Sequence, residues 1–171
     1  IDDTDNRGLI IFVDSPGGGV YESDELYLKL KEDNEKTDRP VYSAMGSMAA
    51  SGGYYISAAA DKIVANRNTW TGSIGVTIGT IYDISGMLEK YGVKTQTITA
   101  GKNKAMGSFT QPMTEEQRAI FQSLVDDAYD QFTGIISEER GIDIAKVREL
   151  ADGRVYTAKQ ALDLGLVDAI G

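Results

Sequence analysis

The sequence predicts an α/β fold with a mainly parallel sheet and flanking helices. Short apolar runs alternate with helical stretches, and glycine-rich turns follow the runs. The 171 residues, 42% apolar and 25% charged, suit one packed domain.

Gly8-Leu9-Ile10-Ile11-Phe12-Val13-Asp14 is continuously apolar until its last residue, as expected of a strand buried on both faces. Ser15-Pro16-Gly17-Gly18-Gly19 must then be a loop. Helical character follows over 23–35, with Ser23 as the expected N-cap. Pro40-Val41-Tyr42-Ser43-Ala44-Met45 predicts a second strand, and the small-residue stretch 46–60 a helix able to approach its neighbours closely. Further strands are expected at 61–65 and 75–78, with Thr71-Gly72-Ser73 between them. A helix over 84–91 should precede a strand at 94–99. Thr114-Glu115-Glu116-Gln117 has the spacing of a capping box. The helix it opens carries Ile120, Leu124, Ala128, Phe132 and Ile136 as one apolar stripe for core or subunit packing. Thr157-Ala158-Lys159-Gln160 is a second capping box, opening a helix that ends at Gly165 before a closing strand at 166–170. No internal repeat is evident.

A net charge of −9 and a pI near 4.5 give a surface that repels phosphate backbones, so nucleic acid is not expected as a partner. The chain contains no Cys and no His. Thiol nucleophiles, disulfides and Ser–His–Asp triads are thereby excluded, and transition metals lose their commonest ligands. A hydrolase built on this sequence needs a carboxylate or a lysine as base. No apolar run reaches the roughly 18–20 residues of a membrane helix. The opening Ile1-Asp2-Asp3-Thr4-Asp5-Asn6-Arg7 leads straight into a strand, so the chain reads as part of a longer parent.

Three segments carry candidate chemistry. Ser51, flanked by Ala49-Ala50 and Gly52-Gly53 between a strand and a helix, is sterically open, with backbone amides at hand for a developing oxyanion. The same small residues also suit plain close packing. Gly17-Gly18-Gly19 lets the backbone present its amides to a ligand; no Gly-Lys-Ser/Thr follows, so a phosphate loop does not fit. Lys102 and Lys104 follow a predicted strand, where active-site loops tend to lie. A lysine serves as base when burial disfavours its charged form, and otherwise is a solvated surface charge.

Asp14-Ser15-Pro16-Gly17-Gly18-Gly19, Met48-Ala49-Ala50-Ser51-Gly52-Gly53-Tyr54-Tyr55, Thr71-Gly72-Ser73-Ile74-Gly75 and Gly101-Lys102-Asn103-Lys104 together resemble the S49 serine peptidases. Asp152-Gly153-Arg154-Val155-Tyr156-Thr157 and Ala161 through Asp168 match that family's closing segment. The resemblance runs in order along nearly the whole chain and is nearest to the family's short Gram-positive type.

The resemblance implies a ClpP/crotonase-like architecture and one catalytic domain over 1–171. It makes Ser51 the nucleophile, Lys104 the general base and Ser73 the residue that orients the lysine. The amides of Gly18 and Gly52 become the oxyanion hole. Neutral Lys104 would take the Ser51 proton, an acyl-enzyme would form, and water activated by the same lysine would release it, with no metal or organic cofactor. The implied partners are peptide substrates (cleaved signal peptides and unfolded segments) and further copies of the chain in a homo-oligomer. The implied place of work is the cell membrane, with the catalytic domain extracytoplasmic and anchored by a segment outside this chain. Two positions depart from the family: Asn103 stands where an aromatic residue is common, leaving Lys102 as a rival base, and Asp14 stands where Asn is usual. A crotonase-type acyl-CoA enzyme and a non-catalytic scaffold are the alternatives on this architecture. A ClpP-type His mechanism is excluded by composition.

Overall fold

The computed structural model describes residues 5–171; the opening Ile1–Thr4 lies outside the described residues. The chain forms two compact units, one of residues up to Gly75 with Ala128–Gly171, the other Val76–Asp127.

The first unit is built on a six-stranded sheet whose spine is β2 (Val41–Ala50). Strand β1 (Leu9–Ser15) runs parallel along one side of it, from Leu9 opposite Val41 to Val13 opposite Met45. On the other side β3 (Lys62–Ala65) pairs with Tyr42–Met45, and β4 (Trp70–Gly72) pairs with Met48–Ala50, both parallel. Strand β5 (Val155–Thr157) adds antiparallel to β4, and β6 (Ala169–Ile170) adds parallel to β3. The mainly parallel sheet is therefore present.

Its details correct several expectations. The stretch 46–50 is not helix but the second half of β2; the helix α2 begins only at Gly52 and ends at Ala58. Small residues there serve a strand with neighbours on both sides. Helix α1 (Val20–Thr37) begins three residues before the expected start, with Gly19 rather than Ser23 as its N-cap. Ser23 lies inside the first turn and donates its hydroxyl to the Gly19 carbonyl at 2.9 Å. Strand β1 is covered on one face only, for Ile10 and Phe12 are 71% and 72% exposed. Trp70–Gly72 is a strand where the sequence suggests a connection, because it finds Met48–Ala50 of β2 to pair with. Helix α5 (Ile144–Leu150), capped by Asp143 through the Ala145 amide at 2.9 Å, was not anticipated.

The core of this unit joins Val41, Met45, Tyr54, Ile63, Ile74, Phe132, Ile136 and Leu166. Buried polar groups are tied into it: Tyr54 donates to the Leu166 carbonyl at 2.8 Å, and Ser43 to Ser57 at 2.9 Å. Helix α6 (Ala158–Asp163) carries the expected capping box between Thr157 and Gln160. The closing strand shortens to β6, because the preceding residues turn to seat Leu166 and Val167 in the core.

The C-terminal segment is held by a forked ion pair. Arg140 Nη2 and Nη1 reach the two Asp168 oxygens at 2.6 and 3.1 Å, and Asp168 also accepts from the Ile63 amide at 2.7 Å. Burial pushes the Asp168 carboxyl up, but the Arg140 and Ile63 hydrogen bonds outweigh it and leave the group below its ordinary value. A folded-state value below the unfolded one means stability that is present above the unfolded value of about 4 and lost as the pH falls through the folded one. We therefore expect Asp168→Asn to lower the urea midpoint clearly at pH 7, and the difference from wild type to shrink steadily as the pH is taken below about 4. A difference that stays constant down to the acid limit of folding would contradict this origin.

The second unit holds α3 (Ser85–Lys90) and the first half of α4 (Glu115–Arg140). Its capping box is formed: the Gln117 amide donates to Thr114 Oγ1, and the Thr114 amide to Gln117 Oε1, each at 3.2 Å. The strands expected at 75–78 and 94–99 do not form. No neighbouring strand supplies a ladder there, and Ile98 is 97% exposed. The apolar stripe of α4 is buried only in its second half, at Phe132 and Ile136, while Leu124 stays exposed.

Candidate active site

The first unit brings Ser51, Ser73, Gly18 and Gly52 to one end of the sheet. Ala50 and Gly72 are register partners at the ends of β2 and β4, so the residues that follow, Ser51 and Ser73, leave neighbouring strands side by side. Both have a left-handed backbone, with φ of 52° and 49°. Such a conformation costs a non-glycine residue about 1–3 kcal/mol and is held only by its surroundings. For Ser51 those surroundings are plain. Its amide donates to the Gly72 carbonyl at 2.8 Å, and its own carbonyl accepts from the Tyr55 amide at 2.9 Å, opening α2. Ser73 is held by its amide, which donates to the Arg154 carbonyl at 2.8 Å. The half-buried Ser51 hydroxyl is not spent on capping the helix it precedes.

The glycine loop presses directly on this turn. A Cβ on Gly17, whose φ is 118°, would stand 2.7 Å from Ser51 Cβ and 2.9 Å from the Gly52 amide nitrogen. A Cβ on Gly52 would stand 3.0 Å from the Gly18 nitrogen and would collide with Ser23 Oγ. Around Gly18 the space is open. The Gly18 and Gly52 amides thus lie at one crowded seam beside Ser51, bounded by backbone and by the Ser23 hydroxyl. Ser15 fastens the loop, its Oγ accepting from the Gly17 amide at 3.1 Å.

These contacts predict an order of tolerance. Gly17→Ala and Gly52→Ala should each cost roughly 3 kcal/mol or more, through overpacking and, at Gly17, backbone strain as well. Gly18→Ala should leave the melting temperature nearly unchanged. Equal midpoints for all three in thermal melts would refute this account of the seam.

Asp14 makes contacts that an Asn at this position could also make. The strand β2 advances four residues between Met45 and Ala49 while β1 advances two, and the Asp14 carboxylate fills that bulge. Asp14 Oδ1 accepts both the Ser47 hydroxyl at 2.7 Å and the Met48 amide at 3.0 Å, which holds the carboxyl below its ordinary range. An Asn carbonyl could accept the same two bonds.

Lys102 and Lys104 belong to the second unit, in a turned segment before α4. Lys102 forms an ion pair with Glu116, and Asn103 donates to the same carboxylate at 3.1 Å. The two hydrogen bonds, that from Lys102 the larger influence, hold the Glu116 carboxyl below its ordinary value. Lys104 is exposed, its amide donates to the Gly101 carbonyl at 3.1 Å, and among the described residues its ammonium has no ion-pair partner. Asn103 is thus part of the clamp that engages Lys102. Glu116 was missed from sequence because nothing in a capping-box pattern says which side chain will reach back. The Arg154 carbonyl was missed because a backbone contact leaves no residue signature. No group of carboxylates able to hold a metal is found among the described residues.

A fold of this kind is found in a ClpP1 mutant from Listeria monocytogenes. The likeness covers 98% of this chain and 76% of that one, with a TM-score of 0.61 and 17% identity, and it speaks for the fold alone. The architecture is accordingly ClpP-like. Peptidase family S49 matches residues 33–171. A protein of Enterococcus faecium named "Putative signal peptide peptidase SppA" is 46% identical over 165 residues, 96% of this chain and 47% of its own length. The Arabidopsis thaliana protein named "Serine protease SPPA, chloroplastic" is 37% identical over 166 residues, 96% of this chain and 24% of its own. Protease 4 of Haemophilus influenzae is 37% identical over 171 residues, 99% of this chain and 27% of its own. This chain belongs to peptidase family S49, a family of serine peptidases. It spans about half the length, or less, of these curated relatives. Membership in that family sets the acyl-CoA reading aside.

Proposed function

We propose that residues 1–171 act as one catalytic domain that hydrolyses peptide bonds with Ser51 as nucleophile and Lys104 as general base. The observation that carries this reading is Ser51 itself: a strained left-handed serine between β2 and α2, its hydroxyl not engaged in capping, beside the Gly18 and Gly52 amides. Strain of this kind persists where a reacting group must be presented. Lys104 Nζ takes the proton as Ser51 Oγ attacks the substrate carbonyl. The negative oxygen of the tetrahedral intermediate receives the Gly18 and Gly52 N–H groups. Collapse expels the amine, which leaves with the proton from Lys104. Water then gives its proton to the same lysine and cleaves the acyl-enzyme, restoring the Ser51 hydroxyl. Ser73, one register step beyond Gly72, orients the lysine.

A lysine base must be neutral at the moment of attack, which calls for desolvation. Lys104 is exposed in the single chain, so a partner that covers its turn would supply what the mechanism needs; this favours work as a homo-oligomer. The name of the Enterococcus faecium relative favours cleaved signal peptides as substrates. Other short or unfolded segments, and a place at the cell membrane with the catalytic domain on the extracytoplasmic side, belong to the same proposal and rest on the family resemblance alone. No helix among the described residues is long and apolar enough to cross a membrane. The mechanism asks for no metal or cofactor. A fluorophosphonate probe tests the site: one adduct on Ser51 by peptide mapping is expected, and an unlabelled but folded protein would return the chain to the scaffold reading.

A further inference from the structure

Ser23 is nearly inaccessible at 5% exposure, and the mechanism gives it no role. It is also not the helix cap that its position suggested. Its hydroxyl and its amide both donate to the Gly19 carbonyl, at 2.9 and 3.1 Å. The same hydroxyl oxygen faces the bare Cα of Gly52, where any side chain would collide with it. One atom therefore touches both halves of the seam: the loop that carries the Gly18 amide and the first residue of α2, which carries the Gly52 amide.

We infer that Ser23 is a positioning residue that sets the spacing of the two amide donors. This rests on the reading of Gly18 and Gly52 as the oxyanion hole. Donors aimed at a developing charge lose their effect when they move by fractions of an ångström, because nothing else in the site compensates. Two hydrogen bonds to one carbonyl are more than the helix start requires, since the Ser23 amide alone closes the first turn. The hydroxyl adds a second restraint on Gly19 and a fixed stop against Gly52. Without it the loop can relax toward α2 while the helix stays formed.

The test uses Ser23→Ala with a peptide substrate and a peptide aldehyde, whose adduct with the nucleophile presents an oxyanion. We expect kcat to fall about ten- to a hundredfold with KM within about twofold, since the loss concerns the transition state. Aldehyde affinity should fall in proportion to kcat/KM. Ser23→Thr, which keeps the hydroxyl, should recover most of both. If Ser23→Ala folds poorly in thermal melts, Ser23→Cys takes its place, with similar shape and a weak donor, and the same losses are expected. A purely structural residue would lower the melting temperature and leave kcat and aldehyde affinity of the folded protein alone; that result overturns the inference. Wild type that neither cleaves peptide nor binds the aldehyde would overturn the reading of the site, and this inference with it. Wild type that does both, beside an unchanged Ser23→Ala, overturns the inference alone.

Discussion

Ser51→Ala should abolish peptide hydrolysis, by at least about three orders of magnitude in kcat, while the protein folds as before. The methyl group fits where the hydroxymethyl stood, and the amide and carbonyl that hold this residue belong to its backbone. Ser51→Gly should be equally inactive but more stable than wild type. At φ 52° and ψ −121° a side chain is strained, and glycine is not. Relief of that strain, less the greater freedom glycine gives the unfolded chain, should leave roughly 1 kcal/mol of added stability. Enzymes commonly carry instability at the residues that do chemistry, and removing the function then stabilises the fold. Peptide turnover and urea melts of the two variants check both parts. Residual activity above a few per cent in Ser51→Ala would dismiss Ser51 as nucleophile, and a Ser51→Gly midpoint below wild type would dismiss the strain.

The second large effect is expected at the base. Lys104→Ala should lower activity by several orders of magnitude, and Lys102→Ala by less than about tenfold. Spacing alone does not separate the two lysines, which lie two residues apart. The choice of Lys104 rests on the family resemblance; the surroundings of the two differ in that Lys102 is engaged with Glu116, whereas Lys104 has no ion-pair partner among the described residues. Because the base must be neutral to accept the Ser51 proton, wild-type activity should rise with pH, and that rise should be absent from any residual activity of Lys104→Ala. Glu116→Gln, which releases Lys102, should leave activity close to wild type. Equal losses in the two lysine variants would leave neither as the sole base, and an active Lys104→Ala beside an inactive Lys102→Ala would reverse the assignment.

The sequence by itself determined the fold class, both capping boxes, the first strand and the order of the site segments. Those features are local. A capping box needs four residues, and a strand needs only a short apolar run, although the covering of β1 on one face alone was not legible in it. It also showed, through the missing His and Cys, that these 171 residues by themselves cannot build a Ser–His–Asp triad or a thiol nucleophile. Only the tertiary structure decided that 46–50 is strand, since Gly46-Ser47-Met48-Ala49-Ala50 has no strong preference of its own and becomes β through β1 and β4 on either side. The same holds in reverse for 94–99, whose residues suit a strand but find no partner to pair with. Ser23 could be read as a cap from its residue type; its place against Gly52 depends on how α1 lies beside α2. The strain at Ser51 and Ser73 was likewise invisible, because a backbone angle forced by long-range hydrogen bonds to Gly72 and Arg154 leaves no mark on local composition. Residue identity names the groups capable of chemistry, whereas contacts between distant segments decide which of them are held ready.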